Sequence, residues 1–185
     1  MQKQLAAIAE SLESAQSRLR RFTDKLQEAD WNKKPATNQW SAAECVEHLN
    51  LTSRAYIPLL RDAVAKAGEV RREPTKHYRH DALGWFLSKM FGPLRHLGKI
   101  KLVRVKTTPA FEPQPGRSRT EILSDFVRLQ TELISITRSA DGLPIDEVKI
   151  VSPFGGRMKY NAYSALDIVS RHQHRHLEQA EEAAR

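Results

Sequence analysis

Apolar residues return at near-helical spacing over long stretches of this chain. Leu5, Ile8, Leu12, Leu19, Phe22 and Leu26 form one stripe and predict a helix over residues 2–29. A connection from Asp30 to Trp40 follows, marked by Pro35 and Asn38. Ser41 then opens a second helix with Glu44 three residues later, the spacing of a capping box. Ala42, Val46 and Leu49 face a core there, and His48 stands beside that stripe. Pro58 predicts a kink about one turn above His48, because an interior proline forfeits a backbone hydrogen bond. Residues 69–80 are polar and basic and predict an irregular connection. DALGWFLSKMF, 81–91, predicts a short apolar helix stopped by Gly92-Pro93, and 94–105 commits to no element. The Pro-rich stretch 109–116 reads as extended. Ser118 and Glu121 repeat the capping-box spacing and open a helix through about Ser139, with Ile122, Phe126, Leu129, Leu133 and Ile136 on one face. Asp141-Gly142 ends it. The connection 143–160 contains the turn signal Phe154-Gly155-Gly156. Asn161 caps a last helix, 162–184, apolar at Ala165, Leu166, Ile168, Val169 and Leu177.

Four long helices with little strand signal predict an all-α fold. The expected form is a four-helix bundle whose long connections, chiefly about 69–117, permit a non-sequential helix order. At 185 residues the chain is expected to be one domain, 1–185, with an excursion at about 66–106. No apolar run approaches the roughly 20 residues that span a bilayer. The N-terminal stretch is amphipathic and contains acids, unlike a secretory signal. A single cysteine, Cys45, excludes an intrachain disulfide and agrees with a cytoplasmic location.

The net charge is +8, and its placement matters more than its size. Residues 66–106 hold 11 Lys/Arg against 3 Asp/Glu, while the remainder holds 19 of each. The simplest account is a solvated basic surface. An acidic metabolite, nucleic acid or an anionic membrane surface is the alternative partner of such a segment. Its few aromatic residues and the want of a helix-turn-helix weigh against nucleic acid.

The chemistry concentrates in histidines. His172 and His176 lie four residues apart in the helical tail RHQHRHLEQ, so they share a face one turn apart. Two imidazoles so placed can hold one metal ion, and a third from another helix would leave positions open for water or substrate. His48 is the candidate third ligand. Taken alone, an HxxxH pair is more often a pair of surface histidines than a metal site. The apolar stripe from Ala165 to Val169 leads into His172, and Leu177 follows His176, which places the pair near a buried face. The tail lacks the glutamate of HExxH, so a zinc protease is not supported. His174 should point away as a solvated bystander. Cys45, three residues before His48, is either a fourth ligand or a small core residue. Glu44 either orients His48 or serves the helix cap. Gln179 can hydrogen-bond near His176, and Asp167 faces the pair poorly. Trp31, Trp40 and Trp85 read as packing residues.

WSAAECVEHL, 40–49, resembles the Trp-Ser-x-x-Glu-x-x-x-His-Leu segment of the DinB-like superfamily, the group that includes YfiT-type thiol transferases. RHQHRHLEQ, 171–179, resembles its C-terminal His-x-x-x-His element with trailing Gln. The resemblance implies a four-helix bundle with a divalent metal on His48, His172 and His176, and a homodimer. Zinc and nickel lead as the expected metal, ahead of iron and manganese. It also implies a low-molecular-weight thiol cosubstrate. The expected activity is thiol S-transfer to a small molecule, or hydrolysis, with the metal lowering the pKa of the thiol or of water. Arg71, Arg72, Lys76 and Arg79 are candidates for an anionic cosubstrate, though a surface role explains each. The alternative is a non-enzymatic bundle that binds a metal or ligand in a stress or damage response. Partners are expected to be a small-molecule substrate and a second copy, with no membrane and no nucleic acid.

Overall fold

The computed structural model describes residues 1–70, 73–91, 107–114, 116–155 and 157–185. Among the described residues six α-helices run in chain order: α1 Lys3–Thr23, α2 Glu28–Trp31, α3 Ala42–Gly68, α4 Ala82–Phe91, α5 Arg119–Ser139 and α6 Ala162–Ala183. Two short strands, β1 Lys149–Val151 and β2 Lys159–Asn161, pair antiparallel, with Ile150 opposite Tyr160. The long helices α1, α3, α5 and α6 form a four-helix bundle. Both α1 and α3 pack against both α5 and α6, so α1 and α3 stand diagonally and the ring order is α1-α5-α3-α6. The order is therefore non-sequential, as the long crossover permits. It places α3 and α6 side by side.

Local chemistry fixes the helix ends. The Ser41 side chain accepts from the Glu44 N–H, and the Glu44 carboxylate accepts from the Ser41 N–H at 2.9 Å. Ser118 and Glu121 do the same at the start of α5. The Asn161 side chain accepts from the Ser164 N–H at 2.8 Å and opens α6. Each bond satisfies a backbone donor that a helix start leaves unpaired.

Three expectations change. The single helix over 2–29 divides: the Thr23 hydroxyl donates to the Leu19 carbonyl at 3.0 Å, and the chain turns to deliver fully buried Trp31 on α2. The 143–160 connection holds the hairpin, whose three-residue strands are too short to print an alternation. Pro58 lies inside an unbroken α3 and is exposed. It stands ten residues beyond His48, nearly three turns and not one, so its lost hydrogen bond is remote from that side chain. Gly92-Pro93, residues 94–105 and Gly156 lie outside the described residues.

The core has two apolar clusters. One gathers Leu5, Ile8, Leu12, Tyr56, Leu60, Leu133, Tyr160 and Leu166, among others. The second gathers Leu19, Trp31, Cys45, Val46, Leu49, Phe126 and Leu177. Between them Gln130 of α5 and Gln173 of α6 form a reciprocal amide pair, at 2.8 and 2.7 Å, and Gln130 also donates to the Leu12 carbonyl. Buried amides need such partners, and this pair ties three helices at one level.

Candidate metal site

At that level α3 and α6 present three imidazoles to one another. His48 reaches from α3 and His172 and His176 from successive turns of α6. One ring nitrogen of each lies within 4.8 Å of the other two. The Nε2 atoms of His48 and His172 are 3.4 Å apart. Two nitrogens each about 2.0–2.1 Å from one ion, at a tetrahedral angle, stand about 3.3 Å apart, so the separation fits a shared ion. The donor chemistry fits too. Burial lowers the pKa of His48, and the Phe111 carbonyl opposes this only in part. Burial first, then the neighbouring histidines and Arg175, push His172 well below its ordinary value. Burial, His48 and Arg175 do the same to His176. Neutral imidazole is the ligating form.

Two of the rings are oriented from behind. His48 Nδ1 is 2.8 Å from the Phe111 carbonyl, which can only accept, so Nδ1 carries the proton and Nε2 is left as the donor atom. Phe111 closes a 3-10 turn, Pro109–Phe111, within the stretch expected to be extended. His176 Nδ1 lies 3.0 Å from Gln179 Oε1, which selects the same tautomer. Outer partners of this kind fix the ring and raise ligand basicity.

Aromatic rings wall the cluster. Trp40 lies 4.8 Å from the His48 ring and 5.9 Å from that of His176. Phe154, from the hairpin turn, lies 5.8 Å from His172 and 5.0 Å from Phe111. Gly155, at φ +89, supplies the left-handed residue this turn needs.

The other candidates sort clearly. Cys45 is fully buried in the second apolar cluster, burial pushes its thiol up, and it is absent from the metal-competent group. Glu44 is spent on the cap and on Lys34, 2.6 Å away. Glu47, five per cent exposed, faces away and receives two hydrogen bonds from Arg117. Asp167 binds Arg171 and accepts from Ser88. His174 does point away from the cluster but is no solvated bystander: it is half-buried, with Nε2 3.0 Å from both the hydroxyl and the carbonyl of Ser11 on α1. Lys76 and Arg79 are exposed, and Arg71 and Arg72 lie outside the described residues. Trp40 belongs to the site as well as to the packing. Trp85 is 55% exposed and does not pack in the core.

Sequence reasoning missed Phe111 and Phe154. A backbone carbonyl leaves no mark in a sequence, and Phe154 sits in a turn that shows no periodicity. Gln179 was visible from its spacing to His176.

A histidine from the second long helix, a histidine pair from the last, and an amide behind His176 define a class of helical bundle in which three imidazoles converge between two neighbouring helices. The family model of the DinB superfamily matches residues 11–180, and the chain belongs to that superfamily. No curated protein and no solved structure matches the chain significantly.

Proposed function

We propose that the chain is a metal-dependent enzyme of small molecules, with a divalent cation, zinc or nickel first, on His48, His172 and His176. The observation that carries this reading is the convergence of three ring nitrogens within 4.8 Å. A cation there supplies Lewis acidity, which lowers the pKa of a bound thiol or water. The chain's residues do the rest. The Phe111 carbonyl and Gln179 hold two imidazoles in the ligating tautomer. Trp40, Phe111 and Phe154 keep water from the flanks and favour an apolar electrophile over a charged one. Thiol S-transfer to such an electrophile is the preferred reaction, with hydrolysis as the variant in which water replaces the thiol. We place the domain at 1–185, in the cytoplasm.

The test begins with metal analysis of protein purified without a histidine tag. His48→Ala, His172→Ala and His176→Ala should each lower metal affinity at least about tenfold, while His174→Ala keeps it. Full retention in any of the three removes that residue from the set. Conjugation of several low-molecular-weight thiols to an alkyl halide then tests the reaction. Metal retention without turnover by any thiol would leave hydrolysis or a non-enzymatic binding role.

A further inference from the structure

His48 and His172 are buried, and His176 is partly exposed. Three rings lie over them. Phe111 is itself buried, and its carbonyl is held by His48, so it forms the inner layer. Trp40 and Phe154 are partly exposed and form the outer layer. Trp40 lies against His48 and His176, and Phe154 against His172.

The two outer walls are built differently. Trp40 immediately precedes the Ser41 cap and packs on the second apolar cluster, which fixes it at the start of α3. Phe154 is carried by the turn between β1 and β2. Below that turn the hairpin is pinned. Ile150 and Tyr160 are buried and stand opposite one another. The Tyr160 hydroxyl shares a hydrogen bond with that of Tyr56 on α3. The Ser152 N–H donates to the Met158 carbonyl at 2.8 Å. Beyond this last rung stands Gly155 at φ +89, with nothing within 4 Å of where a Cβ would sit. A firm base, and a tip that turns at a glycine in open space, are the parts of a hinge. The closed position is defined by the Phe154 ring, which meets Phe111 and Tyr56 edge to face at 5.0 and 5.6 Å.

We propose that Phe154 is a gate over the His172 side of the histidine cluster, opened by rotation of the β1–β2 turn at Gly155. Closed, the ring shields His172 from water. Open, it vacates a space bounded by Phe111, Tyr56 and His172, which suits an aryl group or another apolar group of that size. That a metal ion and its substrate use this path rests on the function proposed above. The gate itself does not.

The first measurement therefore needs no metal. The metal-free full chain is treated with diethyl pyrocarbonate, and tandem mass spectrometry reads the carbethoxylation rate at His172, with exposed His77 as reference. In the wild type His172 should react much more slowly than His77. Gly155→Ala keeps every ring but strains the closed turn, since its φ suits no side chain, and should speed His172 at least about fivefold. Phe154→Ala should speed it by a larger factor. The rate at His77 should hold in both, and a circular dichroism melt checks that each variant is folded. Gly155→Ala, remote from the core, decides the matter if Phe154→Ala does not fold. Acceleration by Phe154→Ala with none by Gly155→Ala makes the ring a fixed wall and overturns the gate. So does a wild-type His172 as reactive as His77. Acceleration by Trp40→Ala and by neither hairpin variant puts entry at the other wall and overturns it too. The second measurement is stopped-flow loading and release of zinc. Both hairpin variants should speed the two rates alike and leave Kd nearly unchanged, whereas loss of a ligand histidine raises Kd. Unaltered zinc rates in variants whose His172 has become reactive overturn the role in metal entry. A wild type that binds no zinc refutes the metal site, and the metal-free rates still decide the gate.

Discussion

Each imidazole is only as good a ligand as the group behind it. Gln179, behind His176, is a partner of this kind that a point substitution can remove. On the proposed reading, Gln179→Ala should lower zinc affinity about 10–100-fold, measured by competition with a chelator, with all three histidines in place. Cys45→Ala should leave metal stoichiometry unchanged and cost about 1 kcal/mol, read by urea denaturation, because Cys45 packs in an apolar cluster. An altered stoichiometry would return the thiol to the ligand set. At this scale much of the site was legible. The four-residue step from His172 to His176 gives a shared helix face directly. That His48 would meet them was not a matter of spacing: its place beside an apolar stripe on another helix made it the candidate, and the likeness of two segments to a family implied it. His174 shows the limit: periodicity sent it to the far face, but a far face in a bundle can still meet another helix.

Among the elements, the long helices were legible because a stripe of apolar residues repeated over several turns leaves little ambiguity. Their starts were legible because capping has a short sequence signature. Ser41→Ala and Ser118→Ala should each cost about 1 kcal/mol and lower Tm by about 2–4 °C, followed by circular dichroism. Ser41→Ala should be the costlier, since Ser41 is buried and Ser118 is not. Helix α2, the 3-10 turn and the two hairpin strands span three or four residues each. No period can declare itself in so few positions. What makes them form is tertiary: Trp31, Phe111, Ile150 and Tyr160 are all buried against distant parts of the chain.

For the molecule as a whole, long-range pairing was the least legible layer. Glu47 of α3 meets Asp125 of α5 through Arg117, which bonds both, and Arg54 of α3 pairs with Asp125 directly. Burial raises the Asp125 pKa, but hydrogen bonds from Arg117, Arg128 and Arg54 outweigh it and hold the carboxyl at about 2. Its folded pKa lies below the unfolded value, so its stabilisation is fully present above about pH 4 and is lost as pH falls towards 2. Asp125→Asn should lower stability at pH 7 and flatten the loss between about pH 4 and 2, read from Tm against pH. Nothing in the sequence marks which arginine of many finds this carboxylate. The crossover presents a related constraint. The acceptor that steadies His48 is main chain, and it belongs to the loop and not to any bundle helix. Exchanging the side chain at 111 leaves a carbonyl in place, whereas adding or deleting a residue before α5 would carry it out of reach. That stretch of loop therefore has its length locked by a main-chain atom, while its composition is held at Phe111, whose buried ring packs on Phe154.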